Sequence, residues 1–167
     1  LMNVRLRAAP ILLEALHQTG GKVRDRVMQI LTHPNPVNEL VLTELLLLLN
    51  EKGKTPGERE KISLYLADCL VHGPAVRRVF KLLDATKSPG RREMVQALAR
   101  APIAMRRLVA RSFGTTVSWI DESAALWIIE ALRDMNANPN ERSDSLILAM
   151  NHRSPLVIAA AIRAQVR

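Results

Sequence analysis

The chain has 167 residues, with 24 Lys and Arg against 16 Asp and Glu, and so a formal charge of +8 with histidines neutral. Hydrophobic residues make up 48% and charged residues 24%, a balance that supports a packed core and excludes wholesale disorder or a collagen-like fibre. The single cysteine, Cys69, excludes an intramolecular disulfide and any multi-cysteine zinc site, and points to a reducing, cytoplasmic setting.

At the N-terminus Arg5 and Arg7 are followed by Pro10, Glu14 and His17 with no small-residue cleavage site, so the segment does not read as a signal peptide. The chain opens on Leu and stops at Arg167 inside an apolar stretch, which reads as a fragment of a longer polypeptide. Helix starts are predicted at Pro10, near Lys22 after Gly20-Gly21, and at Pro36. The stretch from Leu40 to Leu49 is too short for the roughly 20 residues of a membrane span. Val41 to Leu49 is apolar nearly all round, which predicts a core helix sandwiched between neighbours.

The next start is the most explicit. In Thr55-Pro56-Gly57-Glu58 a threonine caps free amides, proline occupies a position that needs no N–H donor, and Glu58 completes a capping box. The same device recurs at Ser88-Pro89, Asn138-Pro139 and Ser154-Pro155. Further starts are predicted at Pro74, at Pro102, and between Ser118 and Asp121 after a stop at Gly114. In the segment from Pro102 to Phe113 the residues Met105, Leu108, Val109 and Phe113 share one arc, opposite Arg107 and Arg111. About ten short helices follow, and no alternating, β-branched run reads as a strand, so the fold class is all-α. From Pro155 to Ile162 there is no charge until Arg163, which predicts that the last helix is covered by further repeats, by a partner or by a second copy of the chain.

Positions 55, 88, 121 and 154 are evenly spaced, with a repeat of about 33 residues. Thr55-Pro56-Gly57-Glu58-Arg59-Glu60-Lys61-Ile62 lies over Ser88-Pro89-Gly90-Arg91-Arg92-Glu93-Met94-Val95, and Ala75-Val76-Arg77-Arg78-Val79 matches Ala104-Met105-Arg106-Arg107-Leu108. A helix pair cannot bury its apolar face alone, and stacking copies side by side covers each face with the next. The run of proline, apolar residue and arginine early in a helix, as in Pro74-Ala75-Val76-Arg77, resembles HEAT and armadillo repeats, from about residue 22 onward. The resemblance implies one helical-repeat domain over 1–167, an α-solenoid of antiparallel helix pairs acting as an interaction module or scaffold. The units lack a uniform inter-helix Asp, and the one at Asp121 has neither the Pro-Gly nor the Arg-Arg element. An irregular helical bundle is the alternative.

Charge is segregated along the chain: residues 88 to 120 carry six Arg and one acid, and residues 121 to 153 carry three Arg and six acids. In stacked units Arg59 and Arg92 on first helices, and Arg77, Arg78, Arg106 and Arg107 on second helices, form basic ridges. Guanidinium forks suit carboxylates and phosphates, so the predicted partner is an acidic protein segment, with nucleic acid as the alternative. Some HEAT-like DNA glycosylases bind duplexes through a basic concave face. Aromatic residues are only 3%, which disfavours single strands read by stacking. The competing readings are outer-face arginines that pair with Glu58, Glu60, Asp84 and Glu93, and a structural domain within a larger assembly.

No catalytic constellation emerges. His17, His33, His72 and His152 are scattered and three precede prolines in turns, where they read as structural groups that bond helix-end carbonyls. Cys69 and His72 make only half of a metal site, and Asp121-Glu122 reads as a complement to a helix N-terminus. No phosphate loop or nucleophile elbow occurs. The reading is therefore a non-enzyme with no metal and no cofactor. Trp119 and Trp127 read as core beside Ile120, Leu126, Ile128 and Ile129, with an exposed anchor pair at a binding hot spot as the alternative.

Overall fold

A computed structural model describes residues 21–22, 39–85, 89–135 and 138–166; among them every regular element is helical and no strand occurs. The helices are α1 (Glu39–Asn50), α2 (Pro56–Cys69), α3 (Gly73–Ala85), α4 (Arg91–Ala99), α5 (Ile103–Val117), α6 (Glu122–Asp134), α7 (Pro139–Ala149) and α8 (Pro155–Gln165). The starts predicted at Pro10 and Pro36 lie outside the described residues, and of the one near Lys22 only residues 21–22, both helical, are described. No helix among the described residues is long and apolar enough to cross a membrane.

Local chemistry explains four of the helix starts. At α2 the Thr55 Oγ1 accepts the Glu58 N–H at 3.3 Å, while the Glu58 carboxylate accepts the Thr55 N–H at 2.8 Å, so the capping box forms as the sequence predicts. Asn138 and Ser154 cap α7 and α8 through their side-chain oxygens, each followed by proline in the first turn. Asp121 caps α6 by accepting the Ala124 N–H at 3.3 Å.

The start expected at Ser88-Pro89 is displaced. The helix begins at Arg91 with Gly90 at its cap position, and Ser88 lies outside the described residues. Gly90 is pressed against the end of α1: a Cβ there would stand 2.6 Å from the Leu49 carbonyl oxygen.

Packing arranges the helices in two layers. In the even layer α2 packs on α4, α4 on α6, and α6 on α8; in the odd layer α3 packs on α5 and α5 on α7. Helix α1 packs on α2, and the Arg78 Nη2 of α3 donates to its Thr43 Oγ1 at 2.9 Å. Between the layers runs one continuous core, in which Phe80 and Phe113 meet edge to face at 5.2 Å. Burial recurs with a regular spacing. In the even layer Ile62, Met94, Ile128 and Ala161 are equivalent buried positions, at intervals of about 33 residues. In the odd layer Val79, Phe80 and Leu83 of α3 recur, in the same order and spacing, as Val109, Ala110 and Phe113 of α5.

Three expectations are corrected. Gly114 does not stop α5, which runs on to Val117. The glycine is buried where α5 crosses α7, and a Cβ on it would lie 2.9 Å from the Ser145 Oγ and 3.1 Å from the Ser145 Cα. Its absent side chain allows the close approach in which the Ser145 hydroxyl lies 2.9 Å from the Ala110 carbonyl and 2.8 Å from its own Glu141 carbonyl. Second, Trp119 is 54% exposed in the α5–α6 turn and not in the core, whereas Trp127 is half-buried against it. Third, α1 buries Leu42, Leu45, Leu46, Leu48 and Leu49 but leaves Leu47 56% exposed, so it is not enclosed on all sides by the described residues.

Candidate interaction face

Six arginines carry the sequence-based expectation of a binding face, and the layers divide them. Arg59 and Arg92 belong to the even layer, on α2 and α4; Arg77, Arg78, Arg106 and Arg107 belong to the odd layer, on α3 and α5. In a two-layer stack the outer faces of the layers point in opposite directions. The six therefore do not form one surface.

Residue matching laid Arg59 over Arg92, but the interactions pair Arg59 with Arg91. The Arg59 Nη2 donates to the Glu51 carbonyl at 3.3 Å, just past α1, and the Arg91 Nε donates to the Leu83 carbonyl at 3.1 Å, near the end of α3, each reaching eight residues back. Arg91 is only 6% exposed, and its Nη1 also pairs with the Asp121 carboxylate that caps α6. Burial disfavours the Asp121 anion, but the Arg91 hydrogen bond, the Ala124 N–H and the Arg91 charge together outweigh it and hold the carboxyl below the ordinary Asp value. The next turn continues the link. The Ser154 hydroxyl donates to Glu122 at 2.6 Å, and the His152 ring, whose Nδ1 accepts the Ser154 N–H at 2.9 Å, presents Nε2 to the Ile120 carbonyl at 2.8 Å. His152 is thus a structural tie between two turns. These polar groups hold the stack in register; His17 and His33 lie outside the described residues.

The odd layer offers a different surface. The burial register places Arg77 opposite Arg107, the fifth residue of α3 and of α5, and Lys81 opposite Arg111, the ninth residue of each. All four are exposed, on neighbouring helices of one layer. Adjacent helices lie about 8–10 Å apart, and four residues of helix rise about 6 Å, so the four cations form a grid on that scale. Among the described residues Arg77, Lys81 and Arg111 have no ion pair; Arg107, with 70% of its side chain exposed, pairs with Glu141 of α7 at 2.6 Å. Asp84 is the acid on the exposed arc of α3. Arg78 and Arg106 are half-buried and turned to other work, Arg78 on Thr43 and Arg106 on the Ala101 carbonyl at 3.4 Å.

Lys81 and Arg111 were not among the predicted contacts. Their signal was present as the i, i+4 spacing from Arg77 and Arg107, which repeats on two helices, and it was hidden by aligning the two Arg-Arg pairs one residue out of register.

Arg92 stands on the even layer's outer face with Gln96 and Arg100, beside Trp127. The last helix, expected to be covered, presents Leu156, Ile162 and Val166 to the surface. Cys69 is buried, and burial, then the neighbouring Asp68, pushes its thiol up to about 12, which suppresses the thiolate needed for nucleophilic or metal chemistry. Among the described residues no group of three His, Cys, Asp or Glu side chains is placed to hold a metal ion. Comparison of the chain with protein-family models, with curated proteins and with solved structures finds no match to any of them.

Proposed function

We propose that the chain is a protein-interaction module, a solenoid of HEAT-like helix pairs, which binds an acidic polypeptide segment on the outer face of the odd layer. Two rows of helices, with a burial period of about 33 residues in the even row and a matching burial pattern on α3 and α5 in the odd row, support the solenoid. The observation that carries the binding role is the grid of Arg77, Lys81, Arg107 and Arg111, matched in level on two neighbouring helices. A partner with carboxylates one helical turn apart, about 6 Å, meets both cations of a helix at once. Arg107 exchanges its Glu141 contact for the ligand; its own side chain is 70% exposed but that of Glu141 only 15%, so the ligand carboxylate must replace a partly covered ion pair. A duplex phosphate backbone is the second reading of the same cations, since duplex binding needs no aromatic platform.

Fluorescence anisotropy of a labelled glutamate-rich peptide tests the proposal, run beside a labelled DNA duplex at low and physiological salt. The expected result is peptide binding that weakens with salt and drops at least tenfold in the Arg77→Glu, Lys81→Glu, Arg107→Glu, Arg111→Glu variant, while Arg59→Gln has no effect on affinity. Peptide binding unchanged by the fourfold reversal, or absent at low salt, refutes the acidic-segment reading. Duplex binding lost in the same variant without peptide binding transfers the face to nucleic acid.

A further inference from the structure

On the opposite side of the molecule, α4 and α6 enclose a groove of about 290 Å³. Its α4 wall carries Arg92, Gln96 and Arg100, each one turn from the next, and its α6 wall carries Glu130 and Asp134 at the same spacing. The register that sets Met94 level with Ile128 also sets Gln96 level with Glu130 and Arg100 with Asp134. The walls do not close on each other. Asp134 pairs with its neighbour Arg133, and neither Arg92 nor Arg100 has an ion pair among the described residues. The floor is apolar: Ala99 of α4 and Trp127 of α6 are half-buried, over the buried Val95, Ala131 and Met135. Trp127 is half-buried and lines the groove. Tryptophan and arginine around an apolar floor are the residue types that dominate binding energy at interfaces.

The dimensions select the occupant. From position 92 to 100, and from 127 to 135, each wall spans nine residues, or about 12 Å of helix. An extended peptide of that length contributes about four residues, only two of which point into the floor. An amphipathic helix spans it in two turns and places apolar side chains at i, i+3 or i+4, and i+7 on the floor. The charges then fix its flanks. We infer that the α4–α6 groove is a second docking site, for a two-turn amphipathic helix of a partner protein with acidic residues along the edge that meets Arg92 and Arg100 and basic residues along the edge that meets Glu130 and Asp134. The mixed walls set the direction in which the helix lies, because reversing it brings like charges together. The site is independent of the odd-layer cations: it uses the other outer face, mixed charge, and an apolar floor.

Three lactam-stapled helical peptides with the same apolar stripe serve as probes: one with Glu on one edge and Lys on the other, one with Glu on both, and one with Lys on both. Titration is followed by Trp fluorescence in the Trp119→Phe background, which leaves Trp127 as the reporter. The mixed-edge peptide is expected to bind at least fivefold tighter than either single-charge peptide. Arg92→Glu with Arg100→Glu turns the preference to the all-Lys peptide, and Glu130→Lys with Asp134→Lys turns it to the all-Glu peptide. The odd-layer fourfold reversal leaves all three affinities in the same order. All these groove positions are exposed, and thermal melts verify that each variant is folded. Equal binding of the three peptides, binding of none, or a preference that the groove substitutions fail to move overturns the inference.

Discussion

Gly114→Ala sets a helix-propensity gain against a steric cost at the α5–α7 crossing. Position 114 is inside α5, where glycine is about 1 kcal/mol worse than alanine, so propensity alone predicts stabilisation. The added Cβ, however, lies 2.9 Å from the Ser145 Oγ and 3.1 Å from the Ser145 Cα and Cβ. Ser145 is buried with its hydroxyl held between the Ala110 and Glu141 carbonyls, and its Cα is backbone, so the neighbour yields only if α7 moves away. Overpacking of this kind costs about 1–3 kcal/mol, and contact with backbone puts the site near the top of that range. The net expectation is a loss of about 2 kcal/mol, or about 4–8 °C in Tm for a domain of this size. Gly57→Ala is the control, because a Cβ there meets nothing within 4 Å, and it should be neutral or stabilising by a few tenths of a kcal/mol. Urea denaturation of both variants, and of Gly114→Ala combined with Ser145→Gly, completes the test. The second substitution removes the Oγ and Cβ contacts, so the cost of the alanine should fall by about 1 kcal/mol or more in that background. A Gly114→Ala protein more stable than the parent, or a cost untouched by Ser145→Gly, refutes the close crossing.

Two further outcomes are expected. Asp121→Asn keeps an N-cap acceptor but removes the charge paired with Arg91, and should cost about 1 kcal/mol near neutral pH because Asp121 is partly solvated. Its folded pKa is below the unfolded one, so the charge stabilises above about pH 4 and the benefit is lost as pH falls through the folded value. Denaturation midpoints measured from pH 6 down to pH 2.5 should therefore converge for parent and variant at the acid end, and a constant difference across that range contradicts the ion pair. Cys69, buried with its thiol pushed up to about 12, should be silent to a thiol reagent at pH 8 in the native protein and react fully in urea, as followed by absorbance; rapid native labelling contradicts the burial.

Legibility from the sequence followed the range of the interactions involved. Thr55, Asn138 and Ser154 were readable because a cap is decided within three residues, and the same short range made Asp121 a plausible helix start. Gly114 was misread because glycine serves two ends: it terminates helices, and it admits another backbone at close range. Only the approach of Ser145, on the helix after next, distinguishes them. Trp119 was misread for a related reason. Aliphatic neighbours in sequence do not fix which way a turn residue faces, and the turn after Val117 sends Ile120 inward and Trp119 out. The start predicted at Ser88-Pro89 shows the converse, since local chemistry favours a cap at Ser88 whereas the helix begins at Arg91, with Gly90 at the cap position close against Leu49.

The arginines separate most clearly along this line. A pair of adjacent arginines contributes one side chain to solvent and one to the interior or a seam, so matching Arg77-Arg78 with Arg106-Arg107 by identity compares unlike positions. Burial is the stricter ruler: Val79, Phe80 and Leu83 align with Val109, Ala110 and Phe113, and under that register Arg78 falls opposite Leu108 while Arg77 falls opposite Arg107. Applied to the even layer, the same ruler makes Arg59 the counterpart of Arg91, and both close carbonyls eight residues back. It assigns Arg92 to the position of Glu60, on the outer face beside Trp127. Between helices that share a burial pattern, the identical residue is a weaker guide to a shared role than the identical position relative to the core. The three groups of arginine follow from that distinction: one that ties turns to helix ends, one that faces outward from the odd layer as a grid, and one that lines a groove of mixed charge.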